Sequence, residues 1–406
     1  MYDIATEVVS IIQNYGEAYF VGGWVRDMLI NQELSNNENF IGANDIDIAT
    51  NVSIEMIQSL FEETFILGAS FGVIVVIYKG ISFEIATFRS DGVYSDGRRP
   101  SNVKVATIEE DAKRRDFTIN GMFYNPINKE ILDFVGGKFD IHNKIIRCIG
   151  DPYDRFEEDR LRMIRCVRLA VNLEFTIETN TASALMTNAN LLFPSVAIER
   201  VWGEICKISN FSQGIIQLHR FKLLSEIFPQ SNIDNIIDLV RPVDRYPLET
   251  PTIIKIMSLF PNYHDLIDIC MYLKVTRRDI AWCKSLMNLR STMTKSNVEL
   301  AEWVHLYTDP HIDVLLKVIS EHQHNRDKFL DEHFIRKHEL HNHIERIISK
   351  KPLISANMLI DLGINRGPRL GKLLHEAENI AINLNLNDSQ LVINELTRRK
   401  LLNDSQ

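Results

Sequence analysis

The stretch "NDIDIAT", residues 44–50, alternates polar and apolar side chains. In an extended strand, residues two apart point to the same face, so Asp45 and Asp47 share one face while Ile46 and Ile48 share the other. Two carboxylates about 7 Å apart on a strand repel each other unless a cation lies near them. The stretch therefore predicts a half-buried strand whose polar face is either simply solvated or binds a divalent cation such as Mg²⁺, which takes one or two protein carboxylates.

A glycine pair precedes this strand in "FVGGWVRD", residues 20–27. The pair follows a short β-rich run and comes before a helical pattern. Glycine lets a ligand approach the backbone closely, and the first amides of a helix favour phosphate. Gly22 and Gly23 are thus either a plain turn or a phosphate-binding turn.

Two further stretches follow the acidic pair. "FEIATFR", residues 83–89, supplies Glu84, which is a candidate third carboxylate or an exposed strand residue. "EEDAKRRDFTINGMFYN", residues 109–125, contains Arg114, Arg115, Asp116 and Asn120, which could contact the phosphates and ribose of a nucleotide. The alternative for this last stretch is an ordinary charged helix end.

The sequence pattern changes near residue 150. Before it, β-branched runs at residues 18–21, 73–77 and 83–87 alternate with glycines and helical stretches, which predicts a sheet with helices. After it, apolar residues recur at three and four positions, and no strand is predicted. Asp151-Pro152 marks the change, because proline is favoured at the first position of a helix. The fold class is therefore predicted to be α+β.

Composition excludes several classes of protein. The chain has 406 residues, of which 45% are hydrophobic and 24% charged, as in soluble proteins of several domains. No apolar run is long enough to span a membrane, and the first residues lack the features of a signal peptide, so a cytoplasmic location is expected. The five cysteines form no CxxC pair, which argues against a zinc site.

Net charge argues against non-specific binding of nucleic acid. The formal charge is −9, yet arginines cluster at residues 114–115 and 160–168. Because phosphate binding depends on where cations lie, local basic surfaces remain possible despite the total.

Four motifs occur in a fixed order: GGxVRD at residues 22–27, DxD at 45–47, RRDxxxN at 114–120 and EDxxR at 158–162. This order resembles the class II tRNA nucleotidyltransferase and bacterial poly(A) polymerase family, within the DNA polymerase β-like superfamily. Residues 88–100 resemble the flexible loop of that family. The segments at 195–200 and 359–378 resemble its later helical motifs.

The resemblance implies an architecture and a reaction. A mixed-sheet nucleotidyltransferase head (1–150) would be followed by an all-helical neck (151–210), body (211–335) and tail (336–406). Two Mg²⁺ ions would be held by Asp45 and Asp47, with Glu84 as a candidate third ligand. CTP and ATP would be the substrates, and the acceptor and TΨC arms of tRNA the partner, with no DNA or membrane involved. The implied nucleotide-binding residues are Gly22, Gly23, Arg26, Arg115, Asp116, Asn120, Asp159, Arg162, Arg165 and Arg168.

Base choice is implied for Asp159 and Arg162, which lie three apart in a helical pattern and so are expected on one face. A carboxylate accepts hydrogen bonds and a guanidinium donates them. Cytosine and adenine each present an amino donor beside a ring-nitrogen acceptor, which this pair fits, whereas uracil and guanine present the reverse pattern. An ordinary ion pair within a helix is the alternative reading. Arg165 and Arg168 continue the same face and would bind the triphosphate, brace Asp159 or only cover the helix.

The reaction that the resemblance implies is template-independent addition of CCA to the 3′ end of tRNA, with release of pyrophosphate. Three alternatives to this full CCA addition stay open. A-only addition to tRNA and poly(A) synthesis share the motifs of the head. "LGASFGVIVV", residues 67–76, is more similar to the CCA-adding branch than to the poly(A) branch. A non-catalytic RNA-binding protein is disfavoured, because such a module has no need for paired carboxylates near a phosphate site.

Overall fold

The structure is a computed structural model, and it describes residues 1–35, 45–68, 72–92, 103–229, 235–260 and 266–402. The chain forms two compact units, Met1–Ile236 and Ile237–Gln406. The N-terminal unit contains all the described strands, and the C-terminal unit is helical. The predicted α+β class is confirmed.

Strands and helices alternate up to residue 177. The strands are β1 (Ala18–Val21), β2 (Asp47–Thr50), β3 (Glu63–Gly68), β4 (Val73–Tyr78), β5 (Ile81–Thr87), β6 (Arg89–Asp91), β7 (Val103–Val105), β8 (Phe123–Asn125), β9 (Glu130–Leu132), β10 (Ile145–Ile146) and β11 (Thr176–Ile177). The first eleven helices are α1 (Tyr2–Gln13), α2 (Gly23–Ser35), α3 (Ile54–Leu60), α4 (Ile108–Arg114), α5 (Gly137–His142), α6 (Pro152–Glu158), α7 (Leu161–Leu173), α8 (Thr179–Asn188), α9 (Ile198–Ile205), α10 (Phe211–Arg220) and α11 (Leu223–Ile227).

Helices alone follow. They are α12 (Ile236–Val240), α13 (Thr252–Ile256), α14 (Leu266–Leu273), α15 (Arg277–Met293), α16 (Leu300–Tyr307), α17 (Ile312–Ser320), α18 (Arg326–Glu339), α19 (His341–Ile348), α20 (Ala356–Asp361), α21 (Pro368–Asn383) and α22 (Ser389–Arg398). No helix among the described residues is both long enough and apolar enough to cross a membrane.

The main sheet has seven strands in the order β3-β4-β5-β2-β1-β8-β9. Strands β2 and β5 pair in parallel, and every other neighbouring pair is antiparallel. The sheet is therefore mixed, as predicted. Val21, Ala49, Phe88, Ala112 and Phe123 form a buried cluster against it, so the central strands β1 and β2 are held by apolar packing as well as by backbone hydrogen bonds.

The sequence-based strands at residues 18–21, 73–77 and 83–87 are confirmed as β1, β4 and β5. The expectation of no strand after residue 151 is wrong at one point. Strand β11 pairs in parallel with β10, and the Thr176 amide donates to the Lys144 carbonyl at 2.8 Å. So short a strand has no periodicity of its own, and it forms because β10 offers it unpaired backbone groups.

The start of the helical region matches its prediction. Asp151 caps α6 by accepting a hydrogen bond from the Tyr153 amide at 2.8 Å, and Pro152 occupies the first turn. The aspartate cap accepts from one free backbone amide, and proline has no N–H group that would need an acceptor. The chemistry of these two residues is therefore sufficient to begin the helix where the sequence indicated.

The end of the C-terminal unit has a hydrophobic core of its own. Its fully buried members include Leu359, Ala381, Val392 and Leu396, which come from α20, α21 and α22. These helices therefore stabilise one another through their apolar faces.

Candidate active site

The acidic pair lies at the start of β2, beside the glycine turn. Asp45 and Asp47 are exposed, whereas Ile46 and Ile48 are 5% and 1% exposed. Val21, the last residue of β1, is the antiparallel partner of Asp47. The alternation read from the sequence is therefore present, and both carboxylates lie on the solvent side of the central strands.

Neighbouring carboxylates make the charge on Asp47 unfavourable. Its pKa is raised, first by the loss of hydration among the protein atoms around it and then by the negative charges of Glu84 and Asp45, while the positive charge of Arg115 lowers it in part. Strand β5 brings Glu84 near, because Ile85 pairs with Ile48 in the parallel register. Asp45, Asp47 and Glu84 thus form a patch of net negative charge that a cation would stabilise.

These carboxylates do not converge as a complete ligand set. Among the described residues, no three His, Cys, Asp or Glu side chains are close enough together to hold a metal ion. A pair of carboxylates nevertheless fits Mg²⁺, which completes its coordination with water and phosphate oxygens. The donors and the uncompensated charge at Asp47 fit that ion, while a third ligand from Glu84 is not preformed.

The glycine turn approaches the carboxylate closely. Gly22 has a φ of +73°, and a Cβ placed on it would lie 3.5 Å from Oδ2 of Asp47. At Gly23, a Cβ would lie 3.4 Å from Nη2 of Arg26. A side chain at either glycine would narrow the space between the acidic pair and Arg26. The positive φ of Gly22 is a second reason for glycine at that position.

A chain of polar contacts runs from this turn towards α7. Arg26 donates to Oδ1 of Asn120 at 2.8 Å, and Asn120 donates to Oδ1 of Asp116 at 3.2 Å. Arg165 donates to Oδ2 of Asp116 through Nε at 3.0 Å and through Nη2 at 2.6 Å. The structure therefore brings together four of the predicted nucleotide-binding residues, although they come from distant parts of the sequence.

Arg165 controls the charge of Asp116. Burial by itself would raise the pKa of Asp116, but the charge and hydrogen bonds of Arg165 outweigh it and hold the pKa well below its usual range. The same pairing raises the pKa of Arg165. Both groups are therefore ionised at neutral pH, and each fixes the orientation of the other.

Arg115 is also engaged by a carboxylate. Its guanidinium contacts Oδ2 of the buried Asp111 at 2.9 Å and lies over the Phe123 ring, 5.0 Å from the centroid. Arg114 contacts the other oxygen of Asp111 at 2.7 Å. Much of the positive charge in this arginine cluster is thus balanced inside the protein, which the count of basic residues could not indicate.

Asp159 and Arg162 are not on one helix, so the expected shared helical face is wrong. Helix α6 ends at Glu158, Asp159 has an extended backbone, and α7 begins at Leu161. Oδ1 of Asp159 accepts a hydrogen bond from the Leu161 amide at 3.2 Å. An aspartate that binds a nearby backbone amide competes with helix formation, which explains the break.

Arg162 is buried, with an exposed fraction of 7%. It donates to the Arg155 carbonyl at 2.9 Å and to Oε2 of Glu158 at 2.8 Å. Arg155 contacts the same Glu158 carboxylate and donates to the Arg115 carbonyl at 2.7 Å. In this structure, Arg162 therefore helps to join α6 and α7 to the end of α4.

Asp159 instead faces Arg200 of α9, with Oδ2 at 3.8 Å from Nη2. Burial raises the pKa of Asp159, and the positive charges of Arg200 and Arg162 offset this only in part. Nη1 of Arg200 is buried without a hydrogen-bond partner. The sequence indicates Arg200 only as part of the segment 195–200, because no local pattern links it to Asp159.

Arg168 contacts Glu204 of α9, with its Nε 2.7 Å from Oε2. Glu204 and Asp111 are acidic residues that sequence reasoning missed, since a single glutamate or aspartate on a helix carries no distinctive signal. Of the predicted loop at 88–100, residues 93–100 lie outside the described residues. The segment 67–76 is interrupted in the same way at residues 69–71.

Two protein-family models match parts of the chain. Residues 18–147 match the poly A polymerase head domain. Residues 174–233 match a domain described as the probable RNA and SrmB-binding site of polymerase A. The first match includes the acidic pair and the glycine turn.

Curated relatives decide the family. The CCA-adding enzyme of Bacillus pumilus is 41% identical over 198 residues, and this chain spans about half of that relative, 47% of its length. The CCA-adding enzyme of Pediococcus pentosaceus is 30% identical over 405 residues, which cover 97% of this chain and 96% of that enzyme. The chain belongs to the CCA-adding enzyme family. This confirms the family that the four motifs indicated.

Solved structures of CCA-adding enzymes have the same fold. The Bacillus stearothermophilus enzyme in complex with CTP aligns with a TM-score of 0.78 at 22% identity, over 98% of both chains. The Thermotoga maritima enzyme complexed with tRNA aligns with a TM-score of 0.68 at 18% identity, over 98% of this chain and 95% of the other. The head followed by helices is therefore the architecture of CCA-adding enzymes.

Proposed function

We propose that this member of the CCA-adding family adds C, C and A to the 3′ end of tRNA without a template, using CTP and ATP and releasing pyrophosphate. The observation that carries the proposal is the acidic pair Asp45 and Asp47, exposed beside the glycine turn and left without enough positive charge. The names of the relatives support CCA addition over the alternatives. Solved family members in complex with CTP, ATP and tRNA support the substrates and the partner.

The proposed cofactor is a pair of Mg²⁺ ions held by Asp45 and Asp47, with Glu84 as a candidate third ligand that would have to move to reach them. When bound, the ions would supply a Lewis acid for the 3′-hydroxyl of the RNA and charge neutralisation for the triphosphate. The protein's part is to hold both carboxylates on one face of β2 and to leave space at Gly22 for the substrate. Arg26, together with Arg165 and Arg168, would balance the triphosphate charge.

Asp159 and Arg162 are proposed to choose the base. The Asp159 carboxylate would accept the amino group of cytosine or adenine, and Arg162 would donate to the ring nitrogen. Arg162 would then exchange part of its contact with Glu158, which Arg155 also contacts. UTP or GTP would leave acceptor facing acceptor and donor facing donor in a buried pocket, at a cost of roughly 1–3 kcal/mol for each unmatched group.

The proposed domains are those expected from the sequence: head 1–150, neck 151–210, body 211–335 and tail 336–406. The body and tail would hold the acceptor and TΨC arms through the phosphate backbone, which fixes position rather than sequence. Candidate contacts in the tail are Lys350, Lys351, Arg366, Arg369 and Lys372. A cytoplasmic location is part of the same proposal.

The decisive experiment incubates the purified protein with Mg²⁺ and single labelled nucleotides on tRNAs ending before CCA, after C and after CC. Full CCA addition predicts CTP incorporation on the first two tRNAs and ATP incorporation on the third. ATP incorporation on the third tRNA alone would indicate A-only addition. A ladder made from ATP on generic RNA would indicate a poly(A) polymerase.

Base choice is tested with Asp159→Ala. We expect the ratio of kcat/KM for CTP over UTP to fall at least about tenfold, because the variant no longer opposes the uracil carbonyl. Overall incorporation of CTP should persist at a reduced rate. An unchanged ratio would show that Asp159 does not choose the base. Its role would then be the structural contact with Arg200.

A further inference from the structure

Glu204 is a buried acidic residue among three cations. Its side chain is 6% exposed and lies on α9. Oε2 is 2.7 Å from Nε of Arg168, and Oε1 is 3.6 Å from Nζ of Lys207 and 3.9 Å from Nη1 of Arg165. A buried carboxylate is tolerated only when such partners compensate for its lost hydration.

The three cations interact with Glu204 to different extents. Lys207 is 62% exposed, so water already solvates its charge and the pair contributes little. Arg165 and Arg168 are 34% and 16% exposed and lie nearly one turn apart on α7. The main effect of Glu204 is therefore to orient two guanidinium groups of one helix.

Arg165 transmits this orientation to the glycine turn. It holds Asp116, which accepts from Asn120, which in turn accepts from Arg26. Arg26 lies in the first turn of α2, next to the glycine turn that is proposed to bind phosphate. Glu204 thus lies at the far end of a continuous series of polar contacts from α9 through α7 to α2.

Arg168 has a buried N–H donor without an acceptor among the described residues. Its Nε lies 2.7 Å from Oε2 of Glu204, but both atoms are buried without a hydrogen-bond partner in the part of the chain that the structure describes, so the contact is an ion pair rather than a hydrogen bond. Burial lowers the pKa of Arg168, and the positive charges of Arg165 and Arg26 lower it further. Three neighbouring guanidinium groups that repel one another form a place that an anion would stabilise.

We propose that Glu204 is a positioning residue for the triphosphate of the incoming nucleotide. It does not touch the substrate, but through its ion pairs it holds Arg168 and Arg165 near Arg26, where their positive charges would bind the phosphates. The inference rests on the proposed function, because it takes a nucleoside triphosphate as the ligand. It assigns Glu204 no role in base choice.

The test is Glu204→Gln, which keeps the shape and removes the charge. We expect KM for CTP and for ATP to rise by a similar factor of about ten, the equivalent of one charged hydrogen bond, with a smaller change in kcat. Equilibrium binding of inorganic tripolyphosphate and of CTP, measured by calorimetry, should weaken by the same factor. The preference for CTP and ATP over UTP should stay as in the unmodified protein.

Two variants separate positioning from a merely structural role. Glu157→Gln, on the exposed side of α6, should leave KM and binding unchanged. The double variant Glu204→Gln with Arg168→Gln removes both charges of the pair. A purely structural ion pair would let this double variant regain the original KM, whereas the proposal expects KM to stay high because the phosphate donor is lost.

The binding measurements also keep this inference distinct from the proposed function. If the unmodified protein bound CTP and tripolyphosphate but added no nucleotide to tRNA, CCA addition would fail while the weaker binding of Glu204→Gln still supported the inference. Unchanged tripolyphosphate binding, or recovery in the double variant, would overturn it. If Glu204→Gln melted below the assay temperature, the same measurements would be made on Glu204→Asp. The inference expects weaker tripolyphosphate binding in that variant, and unchanged binding would contradict it.

Discussion

Asp47 has a carboxylate whose surroundings favour its protonated form. Lost hydration and the charges of Glu84 and Asp45 raise its pKa, and Arg115 corrects this only partly. Residues that conflict with local stability are expected where a ligand supplies the missing charge.

The first prediction is for Asp47→Asn. We expect it to abolish incorporation of every nucleotide while the metal-free protein melts no lower than the unmodified protein, because a repelled charge has been removed. Mg²⁺ should raise the melting temperature of the unmodified protein and not that of the variant. Asp3→Asn, an exposed change on α1, is the matched control, and a normal rate in Asp47→Asn would contradict the metal site.

The second prediction concerns pH. Because the folded-state pKa of Asp47 is raised, deprotonation destabilises the folded metal-free protein as pH rises through that pKa. The melting-temperature difference between Asp47→Asn and the unmodified protein should therefore be small at acidic pH and grow as pH rises. Mg²⁺ affinity should grow over the same range, since proton and metal compete for one carboxylate. A flat profile would show that Asp47 does not titrate in this way.

At the scale of elements, the junction between α6 and α7 controls the second half of the site. Asp159 ends the helical backbone by binding the Leu161 amide. Arg155 and Arg162 on either side of the break donate to carbonyls at the end of α4. The break and the contacts that hold it place the Asp159 carboxylate beside α9 rather than along α7.

The third prediction tests these contacts with Arg155→Met. We expect the free energy of unfolding to fall by about 2–3 kcal/mol, because buried carbonyls and Glu158 lose a charged donor. Urea denaturation would measure the change, with Lys104→Met as an exposed control in the same unit. A loss near zero would mean that Arg162 alone holds the junction.

At the scale of the whole molecule, the chain divides into two units: the first ends at Ile236 and the second begins at Ile237. All the candidate site residues lie in the first unit. The formal charge of −9 conceals the local arrangement, since the arginine clusters of that unit are balanced largely by Asp111, Asp116 and Glu204. Nucleotide binding is thus expected to stabilise one unit more than the other.

The fourth prediction follows from this division. Scanning calorimetry should resolve more than one unfolding transition, and CTP with Mg²⁺ should raise only one of them. The Asp47→Asn variant is the control, because it should lose that shift. One cooperative transition, shifted as a whole by CTP, would contradict independent units.

Local chemistry was enough to predict the strands β1, β2, β4 and β5, the start of α6, the α+β class and the family. Alternation in "NDIDIAT", glycine at a turn and an aspartate cap before proline act over a few residues, so they can be read directly from the chain. The same reasoning placed Asp159 within a helix, because the apolar pattern continues across the break and does not show which amide the carboxylate binds.

Only the tertiary structure decided which charges meet. Glu84 comes near Asp47 through the parallel register of β2 and β5, and Glu204 reaches Arg168 through the packing of α9 on α7. These partners are far apart in sequence, and the choice among many possible carboxylates depends on burial and register, which no local pattern contains. The amino-acid sequence by itself determined the acidic pair and its strand; the fold determined the charges that surround it.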